Sequence, residues 1–331
     1  KTSNHKLGTQ ALEIADAALQ HALAVIPDGA NFPYTSPTII VPSGTVYLSM
    51  PEFSYTVVAS NINGGVQAIL TATAEHTASG TKRVIEAYAD RGTYGLGAVH
   101  LEGSAGVMET EFAGTSFEIS GTDECGVQPT VAGITVSDPD LETEITNDTT
   151  DDGGLTADQM DKVTGLGGVP SVLTLYETPT SVSEIADAFL ALAGVVEESG
   201  GNYGGNEVWG TEAVPQITHI TGDANIGGNL SGHGVIIVDG SVQIAGNLNF
   251  SGLIIARGEV GVKVTGDAGI KGSLMLEESE NQDEAIELDI RGNARIKYNS
   301  CALSTALDST VGTNWVPIPK PVRLLGWKEN M

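Results

Sequence analysis

From Gly234 to Ala256 the chain reads GVIIVDGSVQIAGNLNFSGLIIA, and its first five residues return 18 steps later as GLIIA. The same step carries Gly228 to Gly246 and Asn229-Leu230 to Asn247-Leu248, and it links Gly222, Gly240 and Gly258. A looser copy, Gly272-Ser-Leu-Met-Leu, follows 20 residues after Gly252. A period this short is too brief for a propeller blade and fits one coil of a parallel β-helix or solenoid. Such coils stack their Ile and Val inward, and glycine supplies corners with φ > 0, for which Gly222, Gly240 and Gly258 are the candidates. An antiparallel sandwich is the alternative, but its strands have no reason to repeat in register. The pattern runs from Ile217 to Ile296.

Composition agrees. Glycine accounts for 42 of 331 residues, well above the usual ~7%, while aromatics are 5%. Lys and Arg number 15 against 42 Asp and Glu, a formal charge of −27. A chain so acidic is a poor non-specific binder of nucleic acid or anionic membrane, which needs clustered cations. Apolar residues at 40% exclude a disordered acidic chain. No apolar run approaches the ~18 residues of a membrane span.

The two ends read differently from the middle. Residues 5–26 predict a helix whose apolar stripe includes Leu7, Ala11, Ile14 and Ala18, stopping at Pro27-Asp28-Gly29. Strands follow at Ser54–Ser60, Val66–His76 and Lys82–Asp90, separated by turn residues. A long N-terminal helix on an antiparallel sheet is an α+β unit, and the apolar stretch Pro321–Lys328 is expected to close that sheet. The domains are therefore 1–91, an inserted β-solenoid over 92–314, and a returning strand in 315–331. Within the insertion, Ala98–Leu101, Ser116–Ser120 and Gly133–Val136 read as coil strands. Ser181 and Glu184 form a capping box that opens a helix near 181–199, expected to cover an open end of the stack. Gly200–Gly205 (GGNYGG) reads as a flexible loop.

The segments Gln10–Ala24 (QALEIADAALQHALA), Tyr55–Ala59, Ser79–Glu86 (SGTKRVIE), the glycine-spaced coils and Ile290–Leu303 (IRGNARIKYNSCAL) occur in an order that resembles the PilX-type minor type IV pilins. The likeness is to those with a β-solenoid inserted in the pilin sheet. It implies a hydrophobic helix upstream of Lys1, cleaved by prepilin peptidase and docked among the other pilins of a filament, so that Lys1 begins a soluble form. It further implies anchorage in the inner membrane only before assembly, then display on an extracellular pilus. Function would be pilus assembly and surface adhesion, or capture of a surface or glycan ligand through the solenoid. A DNA receptor for natural transformation is one alternative, and a polysaccharide-binding or polysaccharide-cleaving β-helix is another. Cys125 and Cys301 could by count be a disulfide or two thiols, and an extracellular pilin favours the disulfide.

Catalytic signatures are lacking. The six histidines show no metal-ligand spacing, and no GxSxG, HExxH or P-loop pattern occurs. The expectation is a protein that is not an enzyme and carries no cofactor. Two acidic runs, the first including Asp138, Asp140, Glu142, Asp151 and Asp152, offer oxygen ligands to calcium without EF-hand spacing, and solvated loops are the simpler reading. Lys263, Lys271, Arg291, Arg295 and Lys297 concentrate on later coils and could share one face as a DNA- or anion-binding stripe.

Overall fold

Alanine at helical spacing makes α1, Thr2–Val25, and its buried stripe is Ala11, Ile14, Ala15, Ala18, Leu19 and Ala22. The structure is a computed structural model that describes residues 2–26, 32–47, 49–62, 67–91, 96–105, 108–126, 128–147, 153–175, 181–257, 261–277, 286–308 and 322–330. Strands β1 (Thr38–Tyr47), β2 (Met50–Ile62), β3 (Gln67–His76) and β4 (Lys82–Arg91) form an antiparallel sheet in sequence order, and the C-terminal strand Val322–Asn330 pairs with β4. The face toward α1 is rich in small residues, including Ala59, Ala68, Ala72, Ala74, Ala87 and Ala89. Small residues on both surfaces let helix and sheet approach closely, with Phe53, Leu70 and Ile85 filling the remaining space. Leu7 is half-buried against this cluster. β1 was not foreseen because Pro42 and Gly44 lie inside it; it is an edge strand whose register shifts absorb them.

Residues 93–316 form a second compact unit, distinct from 1–92 with 317–331. Its first strands are β5 (Gly97–Glu102), β6 (Glu109–Phe112), β7 (Glu118–Ser120) and β8 (Ala132–Val136). Helix α2 (Pro139–Thr146), β9 (Val163–Thr164), β10 (Val172–Thr174) and α3 (Val182–Leu190) follow. The later coils comprise β11 (Val196–Tyr203), β12 (Asn206–Trp209), β13 (Gln216–Ile226), β14 (Asn229–Val238), β15 (Val242–Ile244) and β16 (Asn247–Arg257). They continue through β17 (Val262–Val264), β18 (Asp267–Glu277), β19 (Ile286–Ile290) and β20 (Asn293–Tyr298), and end in α4 (Ser300–Asp308). The described strands of the coils pair in parallel, and β14, β16, β18 and β20 do so in unbroken register: Asn229 lies beside Asn247, which lies beside Asp267, which lies beside Asn293. Hairpins do not build this stack.

The winding has two runs. The second begins with β11 and β12 at one end of the stack and coils back to β18, β19 and β20. There it meets the first run, which starts with β5, β6 and β7 laid on β18, β19 and β20 and continues to β9 and β10 at the opposite end. The solenoid's entrance and exit are therefore neighbours in mid-stack.

The α+β class is corrected by these proportions: 54% of the described residues are strand and 18% helix, and the bulk is a β-solenoid with short helices, so the protein is mostly β. The terminal segments drew attention because helical periodicity is easy to read, whereas the solenoid supplies most of the structure. The helix expected near 181–199 ends at Leu190, and its capping box between Ser181 and Glu184 is formed. It packs along β16 and β18 rather than over an open end. Residues 196–203, including the first four of the six residues expected as a loop, are strand β11 paired with β13. Among the described residues no helix is long and apolar enough to cross a membrane.

Candidate functional site

Three flat faces follow from the pairing. One carries the second halves of β14, β16 and β18; residues 234–238, 252–256 and 272–276 on it are buried throughout. Burial on both sides of a sheet needs a cover, and α3 and α4 pack on these strands. The face formed by β12 and the first halves of β14, β16, β18 and β20 instead alternates: Leu230, Leu248, Ala268 and Ala294 point inward, and their neighbours are exposed or, at Gly269, half-buried.

On this open face the outward residues stand in columns. The first is Asn206, Asn229, Asn247, Asp267 and Asn293. Nδ2 of Asn229 donates to Oδ1 of Asn206 at 2.7 Å, Nδ2 of Asn247 to Oδ1 of Asn229 at 2.7 Å, and Nδ2 of Asn293 to Oδ1 of Asp267 at 2.8 Å. The second column is Val208, Ser231, Asn249, Gly269 and Arg295. The third is His233, Ser251, Lys271 and Lys297. The first two columns line a shallow groove of about 540 Å³ that crosses the coils. The recurring Asn at the 18-residue step was visible in the sequence; that it forms an exposed ladder needed the register of the coils.

Corners explain the glycines differently from the expectation. Gly222 has φ +112, but Gly240 has no positive φ; a Cβ there would come within 2.7 Å of Asp223 Oδ1 and the Gly222 carbonyl carbon. Gly240 is small because its coil stacks directly on Gly222-Asp223, and Asp223 Oδ1 accepts from the Ser241 amide at 2.9 Å. Gly258 lies outside the described residues. The repeating left-handed corners are Gly234, Gly252 and Gly272, with φ of 133, 137 and 141, each turning a long strand from the open to the covered face.

The basic residues are brought to the later coils but not to one stripe. Lys263 pairs with Asp289 at 2.6 Å, Arg291 with Asp289 and Glu111 at 2.6 Å each, and Lys297 with Glu118 at 3.0 Å. Hydrogen bonding and the charge of Asp289 push the Arg291 guanidinium pKa up. Lys271 and Arg295 remain, exposed on the open face, without an ion pair among the described residues. The carboxylates of the first acidic run serve local structure: Asp138 caps α2 by accepting from the Asp140 amide at 2.8 Å, and Glu142 accepts from the Thr174 amide at 2.7 Å. Asp140 lies exposed in the first turn of α2, while Asp151 and Asp152 lie outside the described residues. Among the described residues no group of three or more His, Cys, Asp or Glu side chains could hold a metal ion.

Cys125 and Cys301 form a disulfide, with Cα atoms 6.1 Å apart. Beside it, buried Asp123 accepts from the Ser300 amide at 2.8 Å and from its hydroxyl at 2.7 Å. The bridge thus ties the β7–β8 connection to the start of α4, where the two runs meet. A separate charged chain crosses the start of the second run. His219 Nδ1 lies 2.8 Å from Glu197 and Nε2 2.7 Å from Asp239, while Arg257 joins Asp239 at 2.7 Å and Asp187 at 2.5 Å. Burial alone would depress the His219 pKa, but the hydrogen bonds to Asp239 and Glu197 outweigh it and the net direction is up. Burial likewise opposes ionisation of Asp239, yet Arg257 and His219 together hold its pKa low.

No protein family matches the chain, and no curated protein matches it. Among solved structures, a competence-associated pilin, ComZ from Thermus thermophilus, aligns over 97% of this chain and 96% of that one, with 10% identity and a TM-score of 0.23. That likeness is too slight to carry a functional argument, and it reaches a pilin in general, not the PilX type.

Proposed function

We propose that the chain is a pilus-related surface protein that binds rather than transforms its ligand, with the open face of the solenoid as the capturing surface. The observation that carries this reading is the contrast between faces: helices cover one, while the other presents in-register columns of unburied amide, hydroxyl and cationic groups. The sequence resemblance to minor pilins supports the filament setting, and the Cys125–Cys301 bridge supports an oxidising, extracellular one. The PilX-type assignment, the role in assembly and adhesion, and docking through an upstream hydrophobic helix belong to this same proposal. The DNA reading is the weaker one, because Lys263, Arg291 and Lys297 are already neutralised by carboxylates.

The test is to remove the gene and to follow the tagged protein in cells. The protein is expected in the filament fraction sheared from the surface, and loss of the gene is expected to reduce attachment without slowing growth. Retention in cells after complete shearing of filaments, with attachment unchanged in the deletion, would overturn the pilus reading. Release of products from a polysaccharide panel would overturn the non-enzymatic one.

A further inference from the structure

We propose that the open-face groove binds an acidic polysaccharide, a chain of hydroxyl-rich sugar rings bearing spaced carboxylates. The inference rests on the reading of this face as a capturing surface and names what it captures.

Charge is the first ground. Among the described residues of the solenoid, Lys162, Arg257, Lys263, Arg291 and Lys297 each lie within 4.0 Å of a carboxylate. In a chain with 42 acidic residues, Lys271 and Arg295 have no ion pair among the described residues; Arg295 lines the groove together with Asp267 and Glu207, and Lys271 stands in the adjoining column at its rim. Two isolated cations suit carboxylates spaced along a polymer; a polyphosphate needs a denser set.

Hydrogen-bonding capacity is the second. Ser231 and Asn249 are exposed and their side chains make no hydrogen bond to any described residue, so both offer donors and acceptors outward. Asp267 supplies an acceptor beside them. Such groups recur at the coil spacing of about 4.8 Å, which lets one extended chain lie across successive coils. Among the described residues no aromatic side chain lines the groove, so they offer unpaired nucleic-acid bases no stacking platform there.

Shape is the third. Gly269 interrupts the central column between Asn249 and Arg295. Its backbone does not require glycine: φ is not in the left-handed region, and a Cβ would meet nothing nearer than Leu248 O at 3.6 Å. The missing side chain opens the middle of the groove.

The experiment is titration calorimetry of the full chain against polygalacturonate and alginate, with dextran as uncharged control and single- and double-stranded DNA as polyphosphate controls, at one salt concentration. The expected result is saturable polyuronate binding, at least tenfold weaker for dextran and for DNA. The double variant K271A/R295A and, separately, Gly269→Leu, which keeps both cations, are each expected to weaken it tenfold or more without lowering the melting temperature. If either variant fails to fold, Asn249→Ala at an exposed, unpartnered position takes its place with the same expectation. Absence of polyuronate binding at millimolar sugar, equal binding of dextran, or affinity unchanged in the folded variants would overturn the proposal. DNA binding abolished by Gly269→Leu would reassign the groove to nucleic acid and equally overturn it. Because surface shearing does not depend on the ligand, failure here leaves the filament test standing.

Discussion

His100 sits on β5, fully buried, with Nδ1 3.0 Å from the Thr135 hydroxyl. Burial lowers its pKa from 6.5 to about 4. Its contribution to stability is therefore complete above pH ~6.5 and is lost as pH falls toward 4, a span worth about 3 kcal/mol. In thermal melts, the advantage of the native chain over His100→Gln is expected to shrink by about that amount between pH 7 and pH 4; a constant difference would refute it. His219 behaves with the opposite sign. Its raised pKa means that the charged links to Glu197 and Asp239 hold fully below pH ~6.5 and weaken as pH rises through the folded value. His219→Gln is expected to speed amide exchange in β11 at pH 5–6 more than at pH 9, and equal effects at both pH values would count against a charge-dependent link from His219 to Glu197 and Asp239. Neither role was legible in the sequence. Isolated histidines say nothing of their neighbours until residues 22 apart, such as Glu197 and His219, are stacked by coil register.

At the level of elements, strands that repeat were readable and those that do not were hard. Gly234–Val238 and Gly252–Ala256 announce themselves by identical spacing, whereas β11 runs through Gly200 and Gly201, which in isolation signal a loop. Glycine is needed at 200 because a Cβ there would come within 2.9 Å of the Asp223 carbonyl oxygen on the next coil. The helix α4 is hard to read, since Ser300–Asp308 is short and only Asn299, whose Oδ1 accepts from the Ala302 amide at 2.8 Å, marks its start. The corner glycines give a sharp contrast. A Cβ on Gly252 would come 1.9 Å from Gly234 O, at φ +137. Gly252→Ala is expected to destabilise by more than about 4 kcal/mol, while Gly269→Ala should gain about 0.5–1 kcal/mol. Denaturant midpoints of the two variants check both, and similar midpoints would show that the corners are not set by backbone clearance.

For the whole molecule, the meeting of the two runs matters most. The disulfide spans 176 positions of sequence across that seam, and the chain-entropy account assigns a loop of this length about 5 kcal/mol. Cys125→Ser with Cys301→Ser is expected to lower the unfolding free energy by that order in guanidinium titrations. A change below about 1 kcal/mol would mean that β5–β18 and β7–β20 pairing already holds the seam. Beside it, Glu102 accepts from the Val182 amide at 2.5 Å, and Ser183 bonds Glu277, so α3 is fastened to both runs there. Since entrance and exit share this middle position, a coil added or removed near β10 or β11 leaves both of them in place, so the number of turns can change without rebuilding the seam.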